Sequence, residues 1–256
     1  MPSVIPPVMP MDTPLKPYKK EFAYSYAFGV FPTLELLQHR PGDALRVLVS
    51  EAGLKNRGVS KLNELCDRRH IPFEVNTKAV ERLSPKENAY VVGIFQKYEP
   101  ALSAAADHVL LVNPSDMGNL GTIMRTMLGF GVSNLGIVRP AADVFDPRTV
   151  RSSMGALFSL NFRHFDTYEQ YRAAFPEGKR ALYPFMTGGT HSLSATRFDR
   201  PFTLIFGNES TGLPAQFAQI GTCVTIRQSN KIDSLSLPIA AAIALYEATR
   251  NDPPVA

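Results

Sequence analysis

Four apolar runs from residue 108 onward constrain the fold more than any other feature of the chain. They are His108–Asn113 (HVLLVN), Leu135–Arg139 (LGIVR), Phe202–Phe206 (FTLIF) and Cys223–Arg227 (CVTIR), each flanked by turn residues. Continuous apolar runs, rather than strict alternation, suit strands buried on both faces of a parallel sheet. Between them the spacing predicts helices near Asn119–Phe130, Thr149–Leu157 and Thr167–Phe175. A last helix is expected from about Leu237 to Arg250, with Ser236 placed to cap it and Pro238 suited to its first turn.

The N-terminal half carries weaker signals of the same kind. Helices are expected over Gly29–His39, Val59–His70 and Thr77–Leu83, and strands over Ala44–Ser50, Pro72–Val75 and Ala89–Gln96. Strands alternating with helices argue for a second, smaller α/β unit with a mainly parallel sheet. Pro100–Ala106 (PALSAAA) reads as a connector of small residues. Before all of this, Pro2, Pro6, Pro7, Pro10, Pro14 and Pro17 remove backbone donors and fix φ, so an extended, mobile leader is expected. The expected organisation is therefore a leader over 1–20, an α/β domain over 21–99, a linker over 100–106 and a larger α/β domain over 107–256.

Composition narrows the class. The chain has 256 residues, 45% apolar and 20% charged, with a formal net charge of +4. That is ordinary globular composition, and the small basic excess suits a nucleic-acid partner without requiring one. Cys66 and Cys223 cannot build a disulfide framework and show no metal-like spacing, so free thiols in a reducing, cytoplasmic setting are expected. His39, His70, His108, His164 and His191 are scattered, and no metal site is expected. No stretch approaches the ~20 apolar residues of a membrane span, and the Pro-rich start is not a secretory signal.

Three segments at strand ends carry the chemistry. The first, Asp116-Met117-Gly118-Asn119-Leu120-Gly121-Thr122-Ile123-Met124-Arg125-Thr126, opens a helix after HVLLVN. Its glycines permit a tight turn, and a helix N-terminus presents unpaired N–H groups to a polar ligand. The second, Phe206-Gly207-Asn208-Glu209-Ser210-Thr211-Gly212-Leu213-Pro214, follows FTLIF. It lacks the Gly-Lys-Ser/Thr ending of a Walker loop and the three-glycine dinucleotide spacing. An acidic Glu209 disfavours phosphate and suits a hydroxyl, an amine or a cation. The third, Ile232-Asp233-Ser234-Leu235-Ser236-Leu237-Pro238, precedes the last helix.

In this order the three resemble the signature motifs of the TrmH/SpoU class of SPOUT RNA 2'-O-methyltransferases. Asn119, Gly121 and Arg125 match the family's Asn-x-Gly-x-x-x-Arg. Gly207, Glu209 and Gly212 match its Gly-x-Glu-x-x-Gly. Ser234 and Leu235 match its Ser-Leu-Asn, with Ser236 standing where the family has Asn. Serine keeps a donor and an acceptor but loses the amide's reach and second donor. Arg151-Ser152-Ser153-Met154-Gly155-Ala156 is similar to the family's Arg-x-Ser-x-Gly segment. The likeness is strong over about 106–250 and weaker over 22–98.

The resemblance implies a trefoil-knotted, parallel-sheet SPOUT domain preceded by a small α/β RNA-binding domain. It implies methyl transfer from S-adenosylmethionine to a ribose 2'-hydroxyl, with ribosomal RNA favoured over transfer RNA. It implies a homodimer formed through the C-terminal domain, with the active site completed across the interface. Arg125, Asn119, Glu209 and Ser234 are then the expected catalytic set. Phe206, Gly207, Asn208, Gly212, Ile226, Leu235 and Ser236 are the expected cofactor set, with Leu235 against the adenine face. Guanidinium stays protonated, so Arg125 is expected to bind phosphate and orient the hydroxyl rather than act as a plain base. Lys55, Arg57, Lys61, Arg68, Arg69, Arg148 and Arg151 are further candidate RNA contacts. Two rivals stand beside this reading: a nucleotide-binding oxidoreductase, which lacks the GxGxxG turn, and a non-catalytic RNA-binding protein that keeps the fold.

Overall fold

The computed structural model describes residues 15–84, 89–176 and 178–253. Most of the Pro-rich leader lies outside the described residues. The chain divides into two compact units.

The first unit is built on β1 (Tyr24–Phe28), α1 (Val30–His39), β2 (Ala44–Val49), α2 (Arg57–Arg69), β3 (Phe73–Val75), α3 (Thr77–Leu83) and β4 (Val91–Gln96). Asn56 and Asn76 cap α2 and α3 by accepting from Gly58 N–H and Ala79 N–H at 2.8 and 3.0 Å. The strand order is β1-β4-β2-β3. Only β2 and β3 run parallel; β4 is antiparallel to both β1 and β2. The mainly parallel sheet expected here is therefore mixed, because β4 returns between β1 and β2 in the opposite sense. Leu15 and Tyr18, expected in the mobile leader, pack with Tyr24, Tyr26, Leu48 and Ile94 in this unit's core.

The second unit starts from β5 (His108–Val112), α4 (Met117–Gly129) and β6 (Asn134–Val138). The chain then contributes α5 (Pro147–Ser152), whose surroundings, Asp143–Ser159, belong to the first unit. The sequence alone assigns that segment to the larger domain. In the structure Phe145 and Phe158 pack on Phe95, and Tyr98 donates to the Leu157 carbonyl at 3.0 Å. The second unit resumes with β7 (Asn161–Phe165), α6 (Tyr168–Ala174), β8 (Ala181–Pro184), β9 (His191–Ser192), β10 (Phe202–Phe206), β11 (Val224–Thr225) and α7 (Leu237–Thr249).

Five of these strands form an all-parallel sheet in the order β7-β6-β5-β10-β8. β5, β6 and β10 are fully buried, as their unbroken apolar runs require. Leu110, Val138, Phe165, Tyr171, Ile205 and Phe217 form a core on one face. CVTIR departs from expectation. It contributes only a two-residue strand, β11, which pairs with β9 outside the main sheet.

A buried polar cluster ties the foot of this sheet to the expected linker. His108 bonds Tyr171 Oη and the Ser103 carbonyl at 2.9 and 2.8 Å. Arg180 donates to Thr203 Oγ1 and to the Ala106 carbonyl, each at 2.7 Å. Burial, helped by the nearby Arg180 charge, pushes His108 down to about 4, so it is neutral at ordinary pH. Among the described residues no helix is long and apolar enough to cross a membrane.

Candidate active site

The C-terminal ends of β10 and β8 open into a cavity of about 310 Å³ in the second unit. One wall comes from the second motif: Phe206, Gly207, Asn208, Glu209 and Gly212 all line it. The opposite wall comes from the segment between β11 and α7, through Ile226, Gln228, Asp233, Ser234 and Leu235. Phe185, Met186 and Thr187, just after β8, close a third side, and Phe185 stacks on Phe206 at 4.8 Å between centroids.

The second motif is a tight turn held by its own chemistry. Asn208 N–H donates to the Gly212 carbonyl at 3.2 Å, and Gly212 N–H returns to the Asn208 carbonyl at 2.9 Å. Gly212 sits at φ +67, and a Cβ on Gly207 would lie 2.1 Å from the Gly212 carbonyl carbon. Only glycine meets both demands without moving the backbone. Inside the turn Asn208 Oδ1 accepts from Ser210 N–H and Oγ–H at 2.9 and 2.8 Å. Asn208 Nδ2 donates to the Asn113 carbonyl at 2.8 Å, fixing the turn to the end of β5.

Glu209 joins the first motif to the second. Its carboxylate accepts from Ser115 N–H at 3.0 Å, Ser115 Oγ–H at 2.8 Å and Asp116 N–H at 3.1 Å. Asn119 Nδ2 and Asn208 Nδ2 approach it at 3.4 Å. Burial, the largest single influence, pushes this carboxyl up. The donors from Ser115, Glu209's own backbone and Asp116 together outweigh it and hold the group below the ordinary glutamate range. Expected as a partner for a hydroxyl, amine or cation, Glu209 already has its acceptor sites engaged by protein donors.

The first motif differs from its expected form. Gly118 and Gly121 lie inside α4 rather than in a turn before it, and the helix begins at Met117. Its N-cap is Asp116, whose Oδ1 accepts from Asn119 N–H at 2.7 Å. The helix N-terminus expected to meet a polar ligand thus already holds a carboxylate. Asn119 is half-buried and reaches the cavity wall only through Glu209; Arg125 is exposed. Neither lines the cavity. Ser236 sits at the N-cap position of α7 but makes no capping hydrogen bond through its side chain, and it too lies off the lining.

Eight of the eleven expected site residues therefore meet at one cavity: Phe206, Gly207, Asn208, Glu209, Gly212, Ile226, Ser234 and Leu235. Outside the three motifs, the sequence reading missed Phe185, Met186, Thr187, Gln228 and Ala240. The apolar run ALYPF before Met186 was the available signal for the first group. Among the more distant basic candidates, Arg148 is held by Asp146 at 3.0 Å, while Lys55, Arg57, Lys61, Arg68 and Arg69 are exposed. Among the described residues no group of three His, Cys, Asp or Glu side chains is arranged to hold a metal.

A strand-end cavity with one hydrogen-bonded glycine loop and one apolar-and-hydroxyl loop defines a small-molecule site in a parallel α/β unit. The chain belongs to the SpoU rRNA Methylase family, which matches residues 107–246. It is 32% identical over 182 residues to an uncharacterized tRNA/rRNA methyltransferase of a Synechocystis strain, covering 71% of this chain and 66% of the relative. It is 32% identical over 149 residues to the 23S rRNA (uridine(2479)-2'-O)-methyltransferase of Streptomyces viridochromogenes, covering 56% and 52%. The chain thus spans just under two thirds of the first relative and about half of the second. The crystal structure of an AdoMet-bound rRNA methyltransferase from Sinorhizobium meliloti superposes with a TM-score of 0.75 at 27% identity, covering 90% of this chain and 88% of that one.

Proposed function

We propose that this protein transfers the methyl group of S-adenosylmethionine to a ribose 2'-hydroxyl of RNA, with ribosomal RNA as the favoured substrate. The observation that carries the reading is the coincidence of the cavity with the family's second and third motifs. Its size falls at the lower end of small-molecule sites, about 300–1,000 Å³. Its lining suits the cofactor: Phe206, Ile226 and Leu235 offer apolar faces for a purine, and Asn208 and Ser234 offer polar groups. The relatives' names supply the RNA and the 2'-oxygen.

When bound, the cofactor supplies an electrophilic methyl carbon on sulfonium. The chain's own residues then hold the acceptor oxygen in line, its proton passing to solvent water, and positioning contributes much of the rate. Arg125 takes the phosphate beside the accepting ribose and orients the hydroxyl. Asn119, fixed by Glu209, sets the first turn of α4 and so the direction from which Arg125 acts. Ser234 contacts substrate or cofactor at the opposite wall.

Arg125 lies outside the cavity lining of its own chain, which supports a homodimer in which it serves the partner's cavity. The exposed side chains of Ile239, Ile243 and Tyr246 recur along one face of α7 and give that dimer an apolar seam. A trefoil knot through the second and third motifs, an RNA-binding role for the first unit and a cytoplasmic location complete the reading. Transfer RNA is the second substrate reading, supported by the Synechocystis relative's name. Mass-spectrometric mapping of 2'-O-methyl sites in ribosomal and transfer RNA, from cells with and without this protein, tests it. One missing ribosomal site is the expected result; a missing transfer-RNA site moves the substrate, and no missing site removes the proposal.

A further inference from the structure

We propose that the segment between β11 and α7 is an RNA grip as well as a cavity wall, with Arg227 and Lys231 on phosphates and Ile232 against a sugar or base. This rests on the methyl-transfer reading above. The segment has two sides. Ile226, Gln228 and Asp233–Leu235 line the cavity, while Arg227 and Lys231 are exposed and Ile232 is 50% exposed.

Neither cation is occupied. Among the described residues, Arg227 and Lys231 make no ion pair and no side-chain hydrogen bond. Three other cations of the same unit are engaged, Arg139 with Asp166 at 3.1 Å, Arg200 with Asp107 at 3.2 Å, and Arg250 with Glu247 at 3.2 Å, so what distinguishes Arg227 and Lys231 is their place on the segment that walls the cavity. The segment's one acid, Asp233, belongs to the cavity lining, and its backbone carbonyl accepts from Gln228 Nε2 at 3.1 Å. That bond closes the stretch between them and leaves Lys231 and Ile232 on its crest.

Cations at this place suit the chemistry. An accepting 2'-oxygen can reach the cavity only if its nucleotide comes to the mouth. Its 3'-phosphate hangs on the neighbouring ribose carbon and must come too, bringing the next phosphates along the strand. Unpaired cations on the rim neutralise those charges without reading sequence. An apolar side chain between them gives a base or sugar a surface to pack on.

The test compares wild type with an Arg227→Ala/Lys231→Ala double variant and with Ile232→Ser. The probe is a mixed-sequence single-stranded RNA of about 20 nucleotides, long enough to offer several phosphates. The double variant is expected to bind it about tenfold more weakly at low salt. Its plot of log affinity against log salt should be shallower by about 1.4, two contacts at roughly 0.7 each. S-adenosylmethionine affinity by calorimetry and sedimentation behaviour should stay at wild-type values. Ile232→Ser should weaken binding with the salt slope unchanged.

Unchanged RNA affinity and slope in the double variant would overturn the proposal. So would a loss confined to cofactor affinity, which makes the segment a cofactor wall only, or a change in sedimentation, which makes it an interface between copies. A wild type that transfers methyl while the double variant binds RNA as well as it does rejects the grip and keeps the enzyme. A wild type that binds RNA through these cations but transfers no methyl rejects the enzyme and keeps the grip.

Discussion

The two walls of the cavity are built in opposite ways. The Gly207–Gly212 wall is tied by paired backbone bonds, by Asn208 to β5, and by Glu209 to Ser115 and Asp116. The Arg227–Ser236 wall is mostly exposed and is held by few bonds, among them Gln228 to Asp233 and Lys231 N–H to Ser229 Oγ. Segments with few internal bonds and exposed backbone open at low free-energy cost, whereas densely bonded ones do not. The difference assigns the walls distinct tasks. The first is a fixed template that also sets α4, and the second, on the proposed reading, is the wall that adjusts to cofactor and RNA.

The largest expected effect comes from breaking the fixed wall. In Gly207→Ala the new methyl meets the Gly212 backbone, so the turn must open. Cofactor affinity by calorimetry should fall roughly a hundredfold, about 3 kcal/mol, with far-UV circular dichroism unchanged. Near-wild-type affinity would show that the wall is not a template. Next is Arg125→Lys, which keeps the charge but loses the two-pronged guanidinium. A fall in kcat of about tenfold or more with unchanged cofactor affinity is expected. Full activity would remove any need for the fork.

Glu209→Gln unties the template from α4. An amide N–H₂ then faces donors from Ser115 and Asp116, at a cost of about 1 kcal/mol in thermal or denaturant unfolding. The pH sign follows from the lowered carboxyl. A group whose folded value lies below its unfolded one stabilises above the unfolded value and loses that contribution as pH falls through the folded one. Wild type should therefore lose stability relative to Glu209→Gln below about pH 4.5, the ordinary glutamate range. His108 adds a separate acid loss common to both proteins. Its folded value near 4 lies below the ordinary histidine value of about 6.5, so destabilisation grows from about pH 6.5 downward. The difference between the two proteins isolates Glu209.

The smallest effect belongs to the adjustable wall. Ser236→Asn restores the family's residue at the α7 N-cap, where the serine makes no capping bond. A gain of a few tenths of a kcal/mol in stability and a modest gain in cofactor affinity are expected. A loss of both would mean that the serine serves a contact the asparagine cannot make.

What was legible in the sequence follows strand position. β5, β6 and β10, flanked by strands on both sides, announce themselves as apolar runs. The strands missed, β1, β7, β8 and β9, are sheet edges. There Arg163 and His164 interrupt β7 and Pro184 ends β8, as edges permit. The antiparallel entry of β4 and the membership of Asp143–Ser159 in the first unit depend on contacts far along the chain, which periodicity does not record. CVTIR misled in a different way, since Ile226 is apolar because it lines a cavity. The site was legible through motif spacing, but the engagement of Glu209 by Ser115 and Asp116 was not, because those donors are mostly backbone groups.

One measurement tests the central claim, that the two loops form a single pocket delivering a methyl group to a ribose oxygen. Purified protein is incubated with methyl-labelled S-adenosylmethionine and ribosomal RNA, and the RNA is digested to nucleosides and separated. Label on a 2'-O-methylated nucleoside, lost in Gly207→Ala and restored by neither RNA nor cofactor at moderate excess, is the expected result. Label on a base, or cofactor bound with no label transferred to any RNA, contradicts it.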